Sequence, residues 1–348
     1  MNNYVKTEPK ELNGFKGVLV NISNPPLHPV GEEMISEMYE TIQSLRFSGN
    51  EFAIFYTGLS KYHVGANIKE FAGDISPTWA LKHSFEGAVA ASVLRNSCPK
   101  TIGILDGEKR FGGSVEWSLW FDRVLISKDT ELQFPEVKLN LLPGWAGPSR
   151  VEHSVARYHG EEMGRRVMAQ YCTLAETMTA KEAYEFGLVD LPPVPQSDIM
   201  SIALELATCH KSIIPDLEKT IQDKYYKDSK MERKPTKQIL DRKDLLEKAS
   251  QNSSLGSLAV REIDRLAYDV SNKPISKDKI YDQIRNEFSD GRDEVMIAQK
   301  ILESSELDEF DCKGIVGAIL SSKLMITEDR KEGVSAFLEK RTPQFKGR

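Results

Sequence analysis

Two glutamates and a pair of glycines could carry out chemistry on a carbonyl compound. Glu116 and Glu136 stand twenty residues apart, and two carboxyl groups that flank one water molecule can serve as general base and general acid. Gly112 and Gly113 precede a helix predicted over 114–121. Small residues there let backbone N–H groups approach an oxygen, and the helix dipole adds positive potential. In isolation, the glycines could equally form an empty turn and the glutamates could be solvated.

Strand and helix patterns alternate along the chain up to about residue 195. Apolar, β-rich runs predict strands, and apolar positions at helical spacing predict helices. Pro192, Pro193 and Pro195 mark a boundary, after which the patterns indicate helices almost exclusively. The predicted strands cover 16–22, 52–57, 101–105 and 123–126, and the predicted helices cover 31–45, 79–96, 160–170 and 180–186, with Gly187 as a helix stop.

The composition is that of an ordinary globular protein. Of the 348 residues, 40% are hydrophobic and 28% charged. The net charge of -6 disfavours a dedicated nucleic-acid binder, although it leaves room for a local basic pocket that receives a phosphorylated cofactor. The four cysteines, Cys98, Cys172, Cys209 and Cys312, lack zinc-type spacing and are expected to be free thiols. No apolar stretch is long enough to span a bilayer and no signal peptide is evident, so we expect a cytoplasmic protein.

Several motifs occur in a characteristic order. Gly65 to Glu70 match the pattern G-A-D-I-x-E except at Asn67, and Gly112 to Glu116 match G-G-x-x-E. A proline precedes Glu136, as it precedes the second glutamate of the hydratases. Together these motifs resemble the crotonase (enoyl-CoA hydratase/isomerase) superfamily. The resemblance covers about residues 15–195 and 320–346, and it includes Asp122, the turn Pro143-Gly144, the segment 179–190 and the terminal segment 327–341.

The resemblance implies a role for each motif in reactions of acyl-CoA thioesters. The backbone N–H groups of Ala66 and Gly113 would form an oxyanion hole for the thioester carbonyl. Glu116 would activate water, and Glu136 would supply the α-proton. No metal and no redox cofactor are implied, and coenzyme A is part of the substrate. The residues expected to contact the substrate are Gly65, Asn67, Ile68, Gly112, Gly144 and Trp145, of which Gly144 would help to hold the water.

The resemblance also implies an α/β fold, a right-handed spiral of repeated β-β-α units followed by an extended helical C-terminal region. We expect the spiral core with the active site over residues 1–195 and the helical region over 196–348, with a terminal helix at about 325–345. Relatives assemble as trimers or hexamers. The expected partners are therefore an acyl-CoA substrate and further copies of the chain, with no nucleic acid and no membrane.

The chain departs from the family pattern in four places. Asn67 replaces an aspartate, which removes a charge beside the oxyanion residue. Lys109 and Arg110 lie in a bulge, where their charges could reach solvent or contact a phosphate or an acidic substrate. Trp145 replaces a small residue and could pack in the core or narrow the acyl pocket. An insertion is expected at about 215–290, and its segment 215–250, with 18 charged residues out of 36, is expected to be a solvated helical face or hairpin.

These patterns favour hydration of a 2-enoyl-CoA or the reverse dehydration. On the same fold, the chain could instead open a cyclic oxo-enoyl-CoA by hydrolysis, or isomerise or decarboxylate an acyl thioester on CoA or on a carrier protein. A third alternative is a catalytically silent acyl-CoA-binding or assembly protein. Asn67 and the Lys109-Arg110 bulge support that alternative, whereas the presence of both glutamates argues against it.

Overall fold

A five-stranded sheet forms one wall of the spiral core. The computed structural model describes residues 4–58, 61–209, 213–288 and 291–348. Only the first pair of strands in this sheet is antiparallel, and the remaining neighbours are parallel. In spatial order the strands are β1 (Val5–Leu12), β2 (Phe15–Ile22), β3 (Phe52–Tyr56), β5 (Thr101–Leu105) and β7 (Arg123–Ile126).

A second sheet contains β4 (Tyr62–His63), β6 (Lys109–Phe111), β8 (Glu131–Gln133) and β9 (Thr177–Thr179). Strands β4, β6 and β8 are parallel, and β9 pairs with β8 in the antiparallel direction. The chain passes from the first sheet to the second three times, from β3 to β4, from β5 to β6 and from β7 to β8. This alternation confirms the expected crotonase-type spiral of β-β-α units.

The helices of the spiral follow these strand pairs. The predicted helix 180–186 has the predicted bounds, because Thr179 and Glu182 form a capping box at its start and Gly187, with φ of +84°, ends it. The helix predicted over 114–121 is instead one α-helical turn followed by a 3₁₀ turn, Trp117–Trp120. The helices are α1 (Glu32–Leu45), α2 (Pro77–Leu94), α3 (Gly113–Glu116), α4 (Gly147–His159), α5 (Glu161–Leu174) and α6 (Ala180–Phe186), with further 3₁₀ turns at Ile68–Phe71 and Glu136–Leu139.

The C-terminal region is helical, as expected, except for one small sheet. Two short strands, β10 (Pro274–Ser276) and β11 (Glu309–Asp311), pair in the antiparallel direction, which the almost exclusively helical prediction missed. No helix in the described ranges is long and apolar enough to cross a membrane. The helices are α7 (Ile199–Thr208), α8 (Ile214–Tyr225), α9 (Arg242–Ser250), α10 (Ser257–Tyr268), α11 (Lys277–Glu287), α12 (Arg292–Ser305), α13 (Cys312–Met325) and α14 (Glu328–Leu338).

The charged segment between α8 and α9 is held against the core. The Arg233 guanidinium lies between the rings of Tyr158 and Tyr184, at 4.4 and 4.3 Å from their centroids. It also donates to the carbonyl oxygens of Val189 and Asp190, at 2.9 and 2.5 Å. Many of the charged side chains in this segment face solvent, but Arg233 holds the segment against the surface of the spiral.

Helix α2 is buried along most of its length. It packs against α1, α12 and α13, so the C-terminal helices complete the apolar environment of a helix in the spiral. Two buried cations join the C-terminal helices to the spiral. Lys313 on α13 pairs with Glu152 on α4 at 2.6 Å, with both side chains nearly inaccessible. Arg330 on α14 donates to the carbonyl oxygens of Phe71 and Gly73, each at 2.7 Å.

Candidate active site

Two turns that follow the adjacent strands β4 and β6 meet at the candidate oxyanion hole. Gly65 has a φ of +73°, which residues with side chains rarely adopt. A Cβ atom on Gly65 would overlap the carbonyl oxygen of Phe111 and would lie 3.0 Å from the nitrogen of Gly113. The first turn is fixed by Val30, whose N–H donates to Gly65 O and whose carbonyl accepts from Asn67 N, at 2.8 and 2.9 Å. The glycine thus permits a close approach of the two backbones.

The N–H groups of Ala66 and Gly113 are available to a ligand. Neither donates a hydrogen bond to any residue that the structure describes, although most backbone donors in proteins are paired. Two such donors on apposed turns can bind one developing oxyanion. The structure therefore brings together the two residues that the sequence assigns to the oxyanion hole.

Glu116 is buried and its position is fixed. One of its oxygens, Oε2, accepts the N–H groups of Trp145 at 2.8 Å and Gly147 at 2.9 Å. Burial raises the pKa of Glu116 to about 7, although these two N–H groups lower it. The carboxyl group is thus held by the start of α4 and is only partly ionised near neutral pH.

Glu136 lies against the glycine turn at Gly112. A Cβ atom on Gly112 would overlap Oε1 of Glu136, so this carboxyl group lies directly against that turn. The other oxygen is buried and has no hydrogen-bond partner among the described residues. Burial, reinforced by the negative charge of Glu116, raises the pKa of Glu136 well above its usual range. Near neutral pH the pair therefore carries at most about one negative charge, mainly on Glu116.

Cys172 is a neighbour of this pair that the sequence did not single out. It lies on the buried face of α5, and burial raises the pKa of its thiol, with further contributions from Glu136 and Glu116. The thiol is therefore neutral and serves as apolar packing beside the two carboxyl groups. Its spacing from other cysteines and histidines carries no signal that would have placed it here.

Trp145 forms a wall beside the oxyanion turn. A Cβ atom on Gly113 would overlap its indole ring, and the ring of Trp117 lies 5.2 Å away. Trp145 is thus a core residue, 3% exposed, that packs directly against the turn of Gly113. The Cβ position of Gly144 lies 2.6 Å from the hydroxyl of Ser321 on α13, so its backbone packs closely against that helix. The backbone of Trp145 and Gly147, rather than that of Gly144, contacts Glu116.

His83 on α2 extends this aromatic wall. Its ring stacks on Trp79 at 5.0 Å and contacts Phe71 and Trp145 at 5.1 and 5.5 Å between centroids. Burial lowers the pKa of His83 to about 4, so the imidazole is neutral near pH 7. Neither ring nitrogen has a hydrogen-bond partner among the described residues.

The side chains of Asn67 and Ile68 lie in different surroundings, one polar and one apolar. The Asn67 amide donates to Glu70 at 3.1 Å and lines an open groove of about 690 Å³. Ile68 packs against the larger apolar core. Glu32, Glu33 and Glu70 also line the groove. The surroundings of Asn67 are therefore acidic even though Asn67 replaces an aspartate.

Lys109 and Arg110 lie in strand β6 and pair with β4 and β8, so the predicted bulge is absent, and their side chains point to solvent and to the core respectively. Lys109 is exposed and pairs with Glu131 at 2.9 Å. Arg110 is only 1% exposed, so the prediction that its charge reaches solvent was wrong. It donates to Ile104 O at 2.9 Å and to the Thr57 hydroxyl at 2.7 Å. Arg110 therefore ties the second sheet to the first immediately before the oxyanion turn.

The two-sheet spiral is the fold of the crotonase class of α/β proteins. Within that class, the profile described as Enoyl-CoA hydratase/isomerase matches residues 17–262, and the chain belongs to this family. Members of the family act on acyl-CoA thioesters.

Individual relatives are distant. A Bacillus subtilis protein named "Probable enoyl-CoA hydratase" is 24% identical over 196 residues, which are 54% of this chain and 70% of that protein. The Arabidopsis thaliana peroxisomal fatty acid beta-oxidation multifunctional protein AIM1 is 23% identical over 218 residues, which are 60% of this chain but only 28% of that protein. A structure of Pseudomonas aeruginosa DspI has the same fold, with a TM-score of 0.52 at 21% identity over 64% of this chain and 87% of that one. The chain thus spans less than a third of the length of its multifunctional relative.

Proposed function

We propose that the chain adds water across the double bond of a 2-enoyl-CoA, or catalyses the reverse dehydration. The observation that carries the proposal is a pair of buried, electrostatically coupled carboxyl groups, one of them against a turn whose two N–H groups have no partner among the described residues. Hydration needs one group that accepts a proton from water and another that supplies a proton to the α-carbon. A pair of carboxyl groups with raised but different pKa values meets this requirement.

In the proposed reaction, the N–H groups of Ala66 and Gly113 bind the thioester oxygen while negative charge develops on it. Glu116, with a pKa of about 7, accepts a proton from water as the water oxygen bonds to the β-carbon. Glu136 has the higher pKa and is therefore the protonated partner, which gives its proton to the α-carbon. Glu116 is then protonated and Glu136 ionised, so a proton must pass from Glu116 to Glu136 before the next turnover.

A second candidate is hydrolytic ring opening of a cyclic oxo-enoyl-CoA. The flat faces of Trp79, His83 and Trp145 favour it, because such a wall suits a planar or cyclic acyl group. Isomerisation and decarboxylation of an acyl thioester, on CoA or on a carrier protein, would use the same oxyanion hole. The departure at Lys109-Arg110 is weaker support for a silent binding protein, because Arg110 lies in β6 and has a structural role that requires no loss of catalysis.

The test is turnover of linear, branched and cyclic 2-enoyl-CoA thioesters in ¹⁸O-labelled water, with the products weighed by mass spectrometry. We expect the gain of one labelled water, and a loss of about 10²–10⁴-fold in kcat for Glu116→Gln and for Glu136→Gln. Glu294→Gln on α12, another buried glutamate, is the matched control and should retain activity. Two waters gained with ring opening would support the second candidate, and a product of changed structure but unchanged mass would support isomerisation. Binding without turnover of any substrate would refute both.

We further infer that the chain is cytoplasmic and forms a homotrimer or hexamer, with residues 1–195 as the catalytic core, 196–348 as the helical region, and no metal or redox cofactor. These inferences rest on the family resemblance and on the protein's composition. Light scattering of the purified protein would test the assembly, and a monomeric mass at micromolar concentration would contradict it.

A further inference from the structure

A cavity of about 260 Å³ lies away from the glutamate pair. It adjoins the residues at which β5 and β7 begin, whereas Glu116 and Glu136 follow the ends of β6 and β8. Its other walls include α4, from Arg150 to Arg157, the C-terminal end of α7, and the segment that follows α2. None of the candidate site residues lines it, so a ligand there would not occupy the acyl pocket.

The cavity is basic in a chain whose net charge is -6. Among the described residues, five positively charged side chains and two carboxylates line it. The excess of three positive charges is unusual for the interior of a pocket, because like charges repel strongly where water is partly excluded. The cations are Arg95, Lys100, Arg123, Arg150 and Arg157, and the carboxylates are Asp122 and Asp190.

The two carboxylates already have partners. Asp190 lies 3.4 Å from Arg123 and 3.9 Å from Arg157, and it also accepts the N–H group of Val124. Asp122 accepts both the N–H and the hydroxyl groups of Thr101, each at 2.9 Å. Among the described residues, no carboxylate lies within 4.0 Å of Arg95 or Arg150.

Arg150 forms the floor of the cavity. It is only 8% exposed, its Nε donates to Leu119 O at 3.0 Å, and its guanidinium lies 5.0 Å from the centre of the Trp120 ring. Its two terminal nitrogens donate to none of the described residues. Burial, followed by the charge of Arg95, lowers the pKa of Arg150 to about 10. These terminal nitrogens are not fully enclosed, so an anion that enters the cavity can reach two donors that the described residues leave unused.

We propose that this cavity binds the phosphate group of a small phosphorylated molecule, or inorganic phosphate, between Arg150 on the floor and Arg95 and Arg157 at the rim. Guanidinium groups present paired N–H donors that match phosphate oxygens. The volume is below the ~300–1,000 Å³ of pockets that hold drug-sized ligands, so a small phosphate ester fits better than a whole nucleotide coenzyme. This site is independent of the hydration proposed above.

Calorimetric titration of the full chain tests the proposal, with inorganic phosphate and glycerol 3-phosphate as probes. Both probes should bind more tightly than chloride at equal ionic strength. If glycerol 3-phosphate binds more tightly than inorganic phosphate, a phosphate ester is the better ligand. Arg95→Gln and Arg157→Gln each remove one charge-assisted contact at an exposed position, so each should weaken binding by about tenfold or more without unfolding the protein. Arg285→Gln on α11, which removes an exposed cation outside the cavity, should bind phosphate as the wild type does.

Three results would overturn the proposal. Binding of phosphate no tighter than chloride, or unchanged by both rim substitutions, would mean that the cavity is not a phosphate site. Tighter binding of succinate than of phosphate would mean that the cavity prefers carboxylates to phosphates. If phosphate fails to bind while Arg95→Gln and Arg157→Gln lower the mass of the assembly in solution, the cavity is a contact between copies of the chain.

Discussion

Replacing Gly65 by alanine should reduce catalysis far more than it reduces stability. The residue has a φ of +73°, and its Cβ position lies 3.0 Å from the Gly113 nitrogen and still closer to the Phe111 oxygen. Ordinary contact begins at 3.4 Å, so the second turn must retreat by at least 0.4 Å from the nitrogen and by more from the oxygen. That displacement moves the Gly113 donor relative to Ala66, and hydrogen bonds to an oxyanion require donors within about 2.7–3.1 Å.

The expected magnitudes separate the two effects. A positive φ costs a residue with a side chain about 1–2 kcal/mol, which for a chain of this length corresponds to a fall in Tm of about 1–3 °C. Misplacement of one oxyanion donor costs about 10²-fold in kcat. Because the thioester oxygen gains its charge in the transition state, kcat should fall more than KM rises.

Gly49→Ala is the matched control. Gly49 has a φ of +71°, but nothing lies within 4 Å of its Cβ position. Both variants should lose the stability that a positive φ costs, and Gly65→Ala should lose more because the Phe111 oxygen must move. Only Gly65→Ala should lose activity on the enoyl-CoA substrate found in the ¹⁸O experiment. Equal values of kcat/KM for the two variants would refute the assignment of this turn to the oxyanion hole.

Three further predictions concern other parts of the molecule. The pKa of Glu116 rises from 4.5 to about 7 on folding, so the contribution of this protonation to stability is complete below pH 4.5 and is lost as the pH rises through 7. Glu116→Gln should therefore raise Tm relative to the wild type at pH 8 but not at pH 4. Equal differences in Tm at both pH values would contradict this prediction. Lys313→Met leaves Glu152 buried and unpaired and should cost about 3–5 kcal/mol in urea unfolding, much of which Glu152→Gln should restore in the double variant. Arg233→Ala should speed proteolytic cleavage within 226–241 without changing the circular dichroism of the intact chain, and unchanged cleavage would show that this arginine does not hold the segment.

Local patterns predict the elements of the spiral well, because their signals lie within a few residues. The runs 101–105 and 123–126 predict strands with the bounds that the structure has, since each is a short apolar run with a polar or proline boundary. The strands 274–276 and 309–311 are only three residues long and pair across more than thirty residues, so no local periodicity reveals them.

The environment of the candidate site depends on contacts between distant parts of the chain. Arginine is usually a surface residue, so the sequence gives no sign that Arg110 is buried. In the structure its guanidinium donates to the hydroxyl of Thr57, more than fifty residues earlier in the chain. The two N–H groups that hold Glu116 come from residues 29 and 31 positions away, after a turn whose geometry the motif alone does not define. The raised pKa values follow from burial, which a sequence motif cannot express.

The burial of α2 by α12 and α13 has a consequence for synthesis of the protein. α2 ends at Leu94, and α13 begins at Cys312, 218 residues later. At translation rates of roughly 5–20 residues per second, α2 would leave the ribosome about 11–44 s before the helix that covers it. During that interval an apolar helix beside the nascent oxyanion turn has no permanent partner on one side, which makes it a natural target for chaperones that bind exposed apolar segments. Ordering of the acyl pocket would then be a late event on the ribosome, set by the arrival of α13 rather than by folding of the spiral.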